Sequence, residues 1–116
     1  MNRLVTPRSF SEVYEVIRQR RQNTAETESY VSSLMNKGTD AILKKIGEES
    51  AEVIIAAKNL QKEACIHELT DLWFHLMVLM VHQEIDLNAI HLEFGRRFGQ
   101  SGLEEKASRS QASSSP

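Results

Sequence analysis

Glycine and proline are scarce in this chain of 116 residues, five and two respectively. That shortage suits a helical globular protein. A single cysteine, Cys65, excludes an intramolecular disulfide and fits a reducing compartment. Charge of neither sign dominates, since 14 Lys and Arg stand against 16 Asp and Glu for a formal net charge of −2. The balance removes any general reason to expect nucleic acid or an anionic membrane as a partner. Long apolar runs are missing too. The longest, Leu69 to Val81, is interrupted by Thr70, Asp71 and His75 and is too short to span a bilayer. Met1 to Phe10 holds no apolar core of signal-peptide length, so a soluble cytoplasmic protein is expected. There is no internal repeat and no strand-like alternation of useful length.

What is present is helical periodicity. Ser9 followed by Glu12 has the spacing of a capping box, which predicts a first helix to about Arg21 with Phe10, Val13, Val16 and Ile17 on one face. After a break over Gln22 to Ala25, a shorter helix is expected from roughly Glu26 to Asn36, stopped by Gly38. Thr39 or Asp40 is the expected cap of a third helix reaching about Leu60. In it Ile42, Ile46, Val53, Ala57 and Leu60 form an apolar stripe. A turn near Asn59 to Lys62 leads to a fourth helix, Glu63 to Gln83, with Leu69, Leu72, Leu76, Leu79 and Met80 expected inward. Asp86 is the expected cap of a fifth helix ending near Arg97.

Two long helices joined by a short turn must run antiparallel. The expected fold is therefore an all-α bundle of four to five helices around a long antiparallel hairpin. It forms one domain over residues 1–109, with a disordered Ser-rich tail over 110–116. A chain this small buries only about two-thirds of its unfolded surface. A homodimer built on the long helices is therefore expected. The fourth helix, apolar nearly all round, is expected to be the central helix or the one shared with a partner subunit.

The acids fall in an informative pattern. The third helix carries Glu48, Glu49 and Glu52, and the fourth carries Glu68 and Asp71. Glu49 continues the apolar stripe, three residues after Ile46 and four before Val53, with Glu52 beside it. Glu68 and Asp71 repeat the three-residue step, and an antiparallel hairpin sets both pairs at comparable heights. Either pair alone reads as a solvated helix face, where Glu is common. Four converging carboxylates read instead as a cation site, because unpaired buried charge is costly. Oxygen-only ligands favour magnesium, with manganese as a substitute. A di-iron bundle is disfavoured, as no Glu is followed by His three residues later. His75, one turn beyond Asp71, reads as either a core histidine or a partner of the site, while His67, His82 and His91 carry no spacing signal.

The acids stand in the order Glu-Glu-x-x-Glu, then Glu-x-x-Asp, as EESAE and ELTD. This arrangement resembles the all-α nucleoside-triphosphate pyrophosphatase superfamily. The longer stretches SYVSSLMNKGTDAILKKIGEESAEVIIAAKN, ELTDLWFHLMVLM and RRFGQSGLEEKASR look like the phosphoribosyl-ATP pyrophosphatase family of histidine biosynthesis, over roughly Ser29 to Arg109. The resemblance implies metal ligation by Glu49, Glu52, Glu68 and Asp71, with Glu48 as a further ligand or as the group that positions the attacking water. It also implies magnesium-dependent cleavage of the α–β phosphoanhydride of N1-(5-phospho-β-D-ribosyl)-ATP, giving phosphoribosyl-AMP and pyrophosphate. Where relatives commonly have small residues between the second pair of acids, this chain has Leu69 and Thr70.

Basic residues must complete such a site. Lys44 and Lys45, one turn before the acids, and Lys37, Lys58, Arg96, Arg97 and Lys106 are candidates for phosphate, each equally readable as a solvated charge. Two other readings stay open. One is a house-cleaning pyrophosphatase acting on free nucleoside triphosphates, and the other a helical dimerisation module with no catalysis.

Overall fold

In a computed structural model the described residues are 6–22 and 29–99, and they form five helices with no strand among them. The helices are α1 (Phe10–Gln22), α2 (Tyr30–Lys37), α3 (Thr39–Lys58), α4 (Lys62–His82) and α5 (Leu87–Phe98). The tail over 110–116 lies outside the described residues. The chain divides into two compact units, Met1–Ile85 and Asp86–Pro116.

In the first unit, α3 and α4 form the long hairpin. Their connection is only Asn59 to Gln61, tightened by Leu60 N–H donating to Ala57 C=O and Gln61 N–H to Ala56 C=O. Leu60 takes a positive φ of 57° there and is almost fully exposed, so it turns the chain instead of extending the α3 stripe. The face of α3 that does pack runs through Ile42, Ile46, Val53 and Ala56, while Ala57 is exposed.

Each start signal has a local cause. Ser9 and Glu12 exchange capping bonds at the head of α1, with Glu12 N–H donating to Ser9 Oγ at 3.1 Å and Ser9 N–H to Glu12 Oε1 at 3.2 Å. The second helix begins at Tyr30, later than its composition suggested. Ser29 is extended (φ −121°, ψ 163°) and forms a reciprocal capping box with Ser32, so the helix cannot continue backward through it. Gly38 ends α2 and also heads α3, with φ 97°. That replaces the expected Thr39 or Asp40 cap: a single residue joins the two helices, Thr39 is already helical, and Asp40 lies in the first turn of α3.

The core joins Ile17 of α1, Val31 and Leu34 of α2, Ile42 of α3, and Met77, Val78 and Val81 of α4. Each such side chain contributes about 2 kcal/mol by leaving water. Tyr14 Oη donates to Ile85 C=O at 2.7 Å and Arg21 Nη1 to Val81 C=O at 2.8 Å, which satisfies carbonyls at and beyond the end of α4.

The buried stripe of α4 is His75, Met77, Val78 and Val81, and Leu69 is exposed. Leu72, Leu76, Leu79 and Met80 are only half-buried. A helix apolar on all sides can bury only one stripe against α1, α2 and α3. By length and composition α4 also qualifies as a membrane span. In this fold it is the helix on which the three others pack.

The second unit contributes α5, capped by Asp86, whose side chain accepts from Asn88 N–H at 3.2 Å. Glu93 bonds both Arg96 and Arg97 at 2.8 Å.

Candidate active site

The hairpin turns the sequence pattern into a cluster. Carboxylate oxygens of Glu49 on α3 and of Glu68 and Asp71 on α4 all lie within 4.8 Å of one another, and all three residues are half-buried. Position 49 belongs to the face of α3 that packs on α4, and its side chain is only 12% exposed. The acids on α4 are one turn apart, so the same face presents both. Glu52 is outside this triad. It stays near enough for its charge to act on Glu68.

The electrostatics are those of crowded anions. Burial pushes the Glu68 carboxyl above the ordinary carboxylate range. His67 pulls it back, and Glu52, Glu49 and Asp71 push it further up. His67 Nε2 lies 3.4 Å from Asp71 Oδ2 across an i,i+4 step, a spacing present in the sequence that marks His67 as a neighbour of the cluster. On α3, Lys45 Nζ sits 3.6 Å from Glu48 Oε1 and 3.8 Å from Glu49 Oε2. The side chain of Glu48 is half exposed, at the rim of the cluster.

His75, one turn after Asp71 on α4, is buried. Its Nδ1 donates to the Asp71 carbonyl oxygen at 2.8 Å, and Tyr30 Oη lies 2.7 Å from its Nε2. His75 is therefore a core histidine, and its ring touches the backbone of Asp71. Tyr30 is the residue that sequence reasoning missed. It stacks on Phe74 with ring centroids 6.2 Å apart and meets His75 edge-on at 5.6 Å. The phenol is pushed above its ordinary range, chiefly by burial. Lys45 counteracts this, and the charges of Glu49, Asp71 and Glu48 add to it.

Among the other basic candidates, Lys37 and Lys58 occupy the last turns of α2 and α3, and Lys44 is exposed on α3. Arg96 and Arg97 are engaged with Glu93 in the second unit. Lys106 lies outside the described residues.

The donor set is entirely oxygen, the charges are mutually repulsive, and the site is half-buried. Those are the properties of a carboxylate site for a hard divalent ion, so the residues present fit one. The chain is also similar to known proteins over most of its length. The family model for phosphoribosyl-ATP pyrophosphohydrolase matches residues 10–98. The phosphoribosyl-ATP pyrophosphatase of Ruthia magnifica is 56% identical over 95 residues, covering 82% of this chain and 90% of that protein. Those of Geobacter metallireducens and Methylococcus capsulatus are each 50% identical, over 97 and 93 residues. They cover 84% and 80% of this chain and 88% and 89% of their own lengths, respectively. With the acids brought together on the α3–α4 hairpin inside the matched span, the chain belongs to the phosphoribosyl-ATP pyrophosphohydrolase family.

Proposed function

We propose that this protein hydrolyses the α–β phosphoanhydride of N1-(5-phospho-β-D-ribosyl)-ATP to phosphoribosyl-AMP and pyrophosphate, the second step of histidine biosynthesis, with magnesium as its ion. The observation that carries the chemistry is the convergence of Glu49, Glu68 and Asp71 within 4.8 Å. The substrate comes from family membership and the close relatives.

Glu49, Glu68 and Asp71 hold the ion, and Glu52 completes the acidic set from the next turn of α3. Magnesium, when bound, supplies the positive charge that neutralises the triphosphate oxygens. The rest of the chemistry falls to this chain's own side chains. Glu48, next to Glu49 and half exposed, orients the attacking water and accepts its proton. Lys45, 3.6 Å from Glu48, draws the phosphates toward the cluster and offsets the charge that builds on their oxygens. Lys37, Lys44, Lys58, Arg96, Arg97 and Lys106 remain secondary candidates for that task.

The working particle is a homodimer. Ile54 and Ile55 of α3 and Ile66 and Trp73 of α4 are each at least 45% exposed, a large apolar surface for one small chain. We read that surface of α4 as the seat of a second subunit rather than of lipid. Cys65 is a free thiol, which suits the cytoplasm in which we place the enzyme.

The experiment is pyrophosphate release from phosphoribosyl-ATP, ATP and dCTP in parallel. Turnover of phosphoribosyl-ATP alone is expected. Turnover of the free nucleotides instead replaces the pathway enzyme with a house-cleaning pyrophosphatase.

A further inference from the structure

One residue along a helix turns the side chain by about 100°. On α3 the stripe turned toward α4 runs through Ile42, Ile46, Glu49, Val53 and Ala56, and on α4 Glu68 and Asp71 answer Glu49. One position beyond each member of the α3 stripe stand Leu43, Gly47, Ser50, Ile54 and Ala57. The same step from the α4 stripe gives Cys65, Leu69, Leu72, Leu76 and Leu79. Both series recur at alternating four- and three-residue steps, the spacing of a seam between helices, and no member of either is charged. Because the two helices run antiparallel, the same forward step turns both series to one side of the hairpin. The backward step leads to the other side, where Phe74 stacks on Tyr30 of α2 and Met77 joins the core with Ile17 of α1. Those helices therefore leave the forward side open. There Ile54 is 62% exposed and Leu69 39%, and a Cβ on Gly47 would meet nothing within 4 Å. Glycine in the middle of a helix costs stability, and nothing in the chain crowds this one. A helix arriving from outside gives it a use.

We infer that this forward face of the α3–α4 hairpin is where a second copy of the chain docks, hairpin on hairpin, to complete a four-helix bundle. The inference deepens the homodimer reading above and rests on it. Two parallel seams on neighbouring helices match the half-bundle that a copy of themselves completes. An uncharged face also sets no like charges against each other across a two-fold axis. Two helices about 30 Å long, lying side by side, offer on the order of 600 Å2, close to the roughly 800 Å2 that each partner gives to a stable interface.

The test is sedimentation velocity and light scattering of the full chain over a dilution series, for wild type, Ile54→Glu, Leu69→Glu and Ile55→Glu. Each of the first two places a carboxylate in the seam of a different helix, and each is expected to raise the dimer dissociation constant about a hundredfold or more. Ile55, one residue past the seam, is expected to tolerate Glu with a dissociation constant within about fivefold of wild type. Circular dichroism reports whether helicity is kept, and Ile54→Ser or Leu69→Ser, smaller and uncharged, replaces a Glu variant that loses it. A monomeric wild type overturns the homodimer and this face together. A dimeric wild type matched by Ile54→Glu or by Leu69→Glu overturns the two-helix face alone. Dissociation by Ile55→Glu but by neither of the others moves the interface to another side of α3 and overturns it as well.

Discussion

Two neighbouring glutamates on α3 have different surroundings. The Glu49 side chain is 12% exposed and joins the acidic triad, while that of Glu48 is 50% exposed and faces Lys45. Different failures are expected from the same isosteric change. Glu49→Gln should lose Mn2+ affinity together with activity. Glu48→Gln should bind Mn2+ like wild type while kcat falls by about a hundredfold or more, the scale of a lost general base. Electron paramagnetic resonance and steady-state kinetics on the two variants check this, and equal loss of metal affinity in both would remove the proposed division of roles. The positions of Glu49, Glu68 and Asp71 were legible in the sequence because helical spacing and one short turn determine them. Glu52 was less so, since a three-residue step also rotates a side chain around the helix. Tyr30 was not legible at all: its bond to His75 spans 45 residues and depends on how α2 packs on α4.

At the scale of elements, helix ends were read best where a side chain does the capping, as at Ser9 and Asp86, and worst where backbone conformation decides. Gly38 shows why. Its φ of 97° favours glycine, and a Cβ there meets nothing within 4 Å, so the obstacle to substitution is the backbone alone. Gly38→Ala is expected to cost about 1–3 kcal/mol, measured by chemical denaturation. A neutral result would mean that the junction relaxes freely.

The ion pairs of α5 give a pH prediction. Arg96 and Arg97 hold the Glu93 carboxyl down to about 2 from an ordinary 4.5. A depressed carboxylate adds stability above its unfolded pKa and loses it as pH falls through the folded one. Order in α5 should therefore decline between about pH 4.5 and about 2. The slope should be absent in Glu93→Gln, as followed by NMR shifts of Leu87–Phe98. Because these side chains are exposed, salt should weaken the effect.

At the scale of the molecule, the all-α fold and its hairpin were readable from periodicity, but the inward face of α4 was not. An all-apolar helix does not reveal which stripe its neighbours take, and Leu69 and Trp73 are left exposed while His75 is buried. The same surplus of apolar surface predicts a particle of two chains by light scattering at micromolar concentration, and a monomer would refute the dimer. Within the first unit Ile42 is fully buried, so Ile42→Ala should cost about 2–5 kcal/mol in chemical denaturation.

Pyrophosphate release is proposed to require an ion held by the carboxylates on the hairpin. The most direct test of this is a magnesium titration of pyrophosphate release from phosphoribosyl-ATP, run side by side on wild type and Glu49→Gln. Saturable magnesium dependence in wild type and its loss in Glu49→Gln is the expected result. Turnover by Glu49→Gln at wild-type rate and magnesium requirement would contradict it.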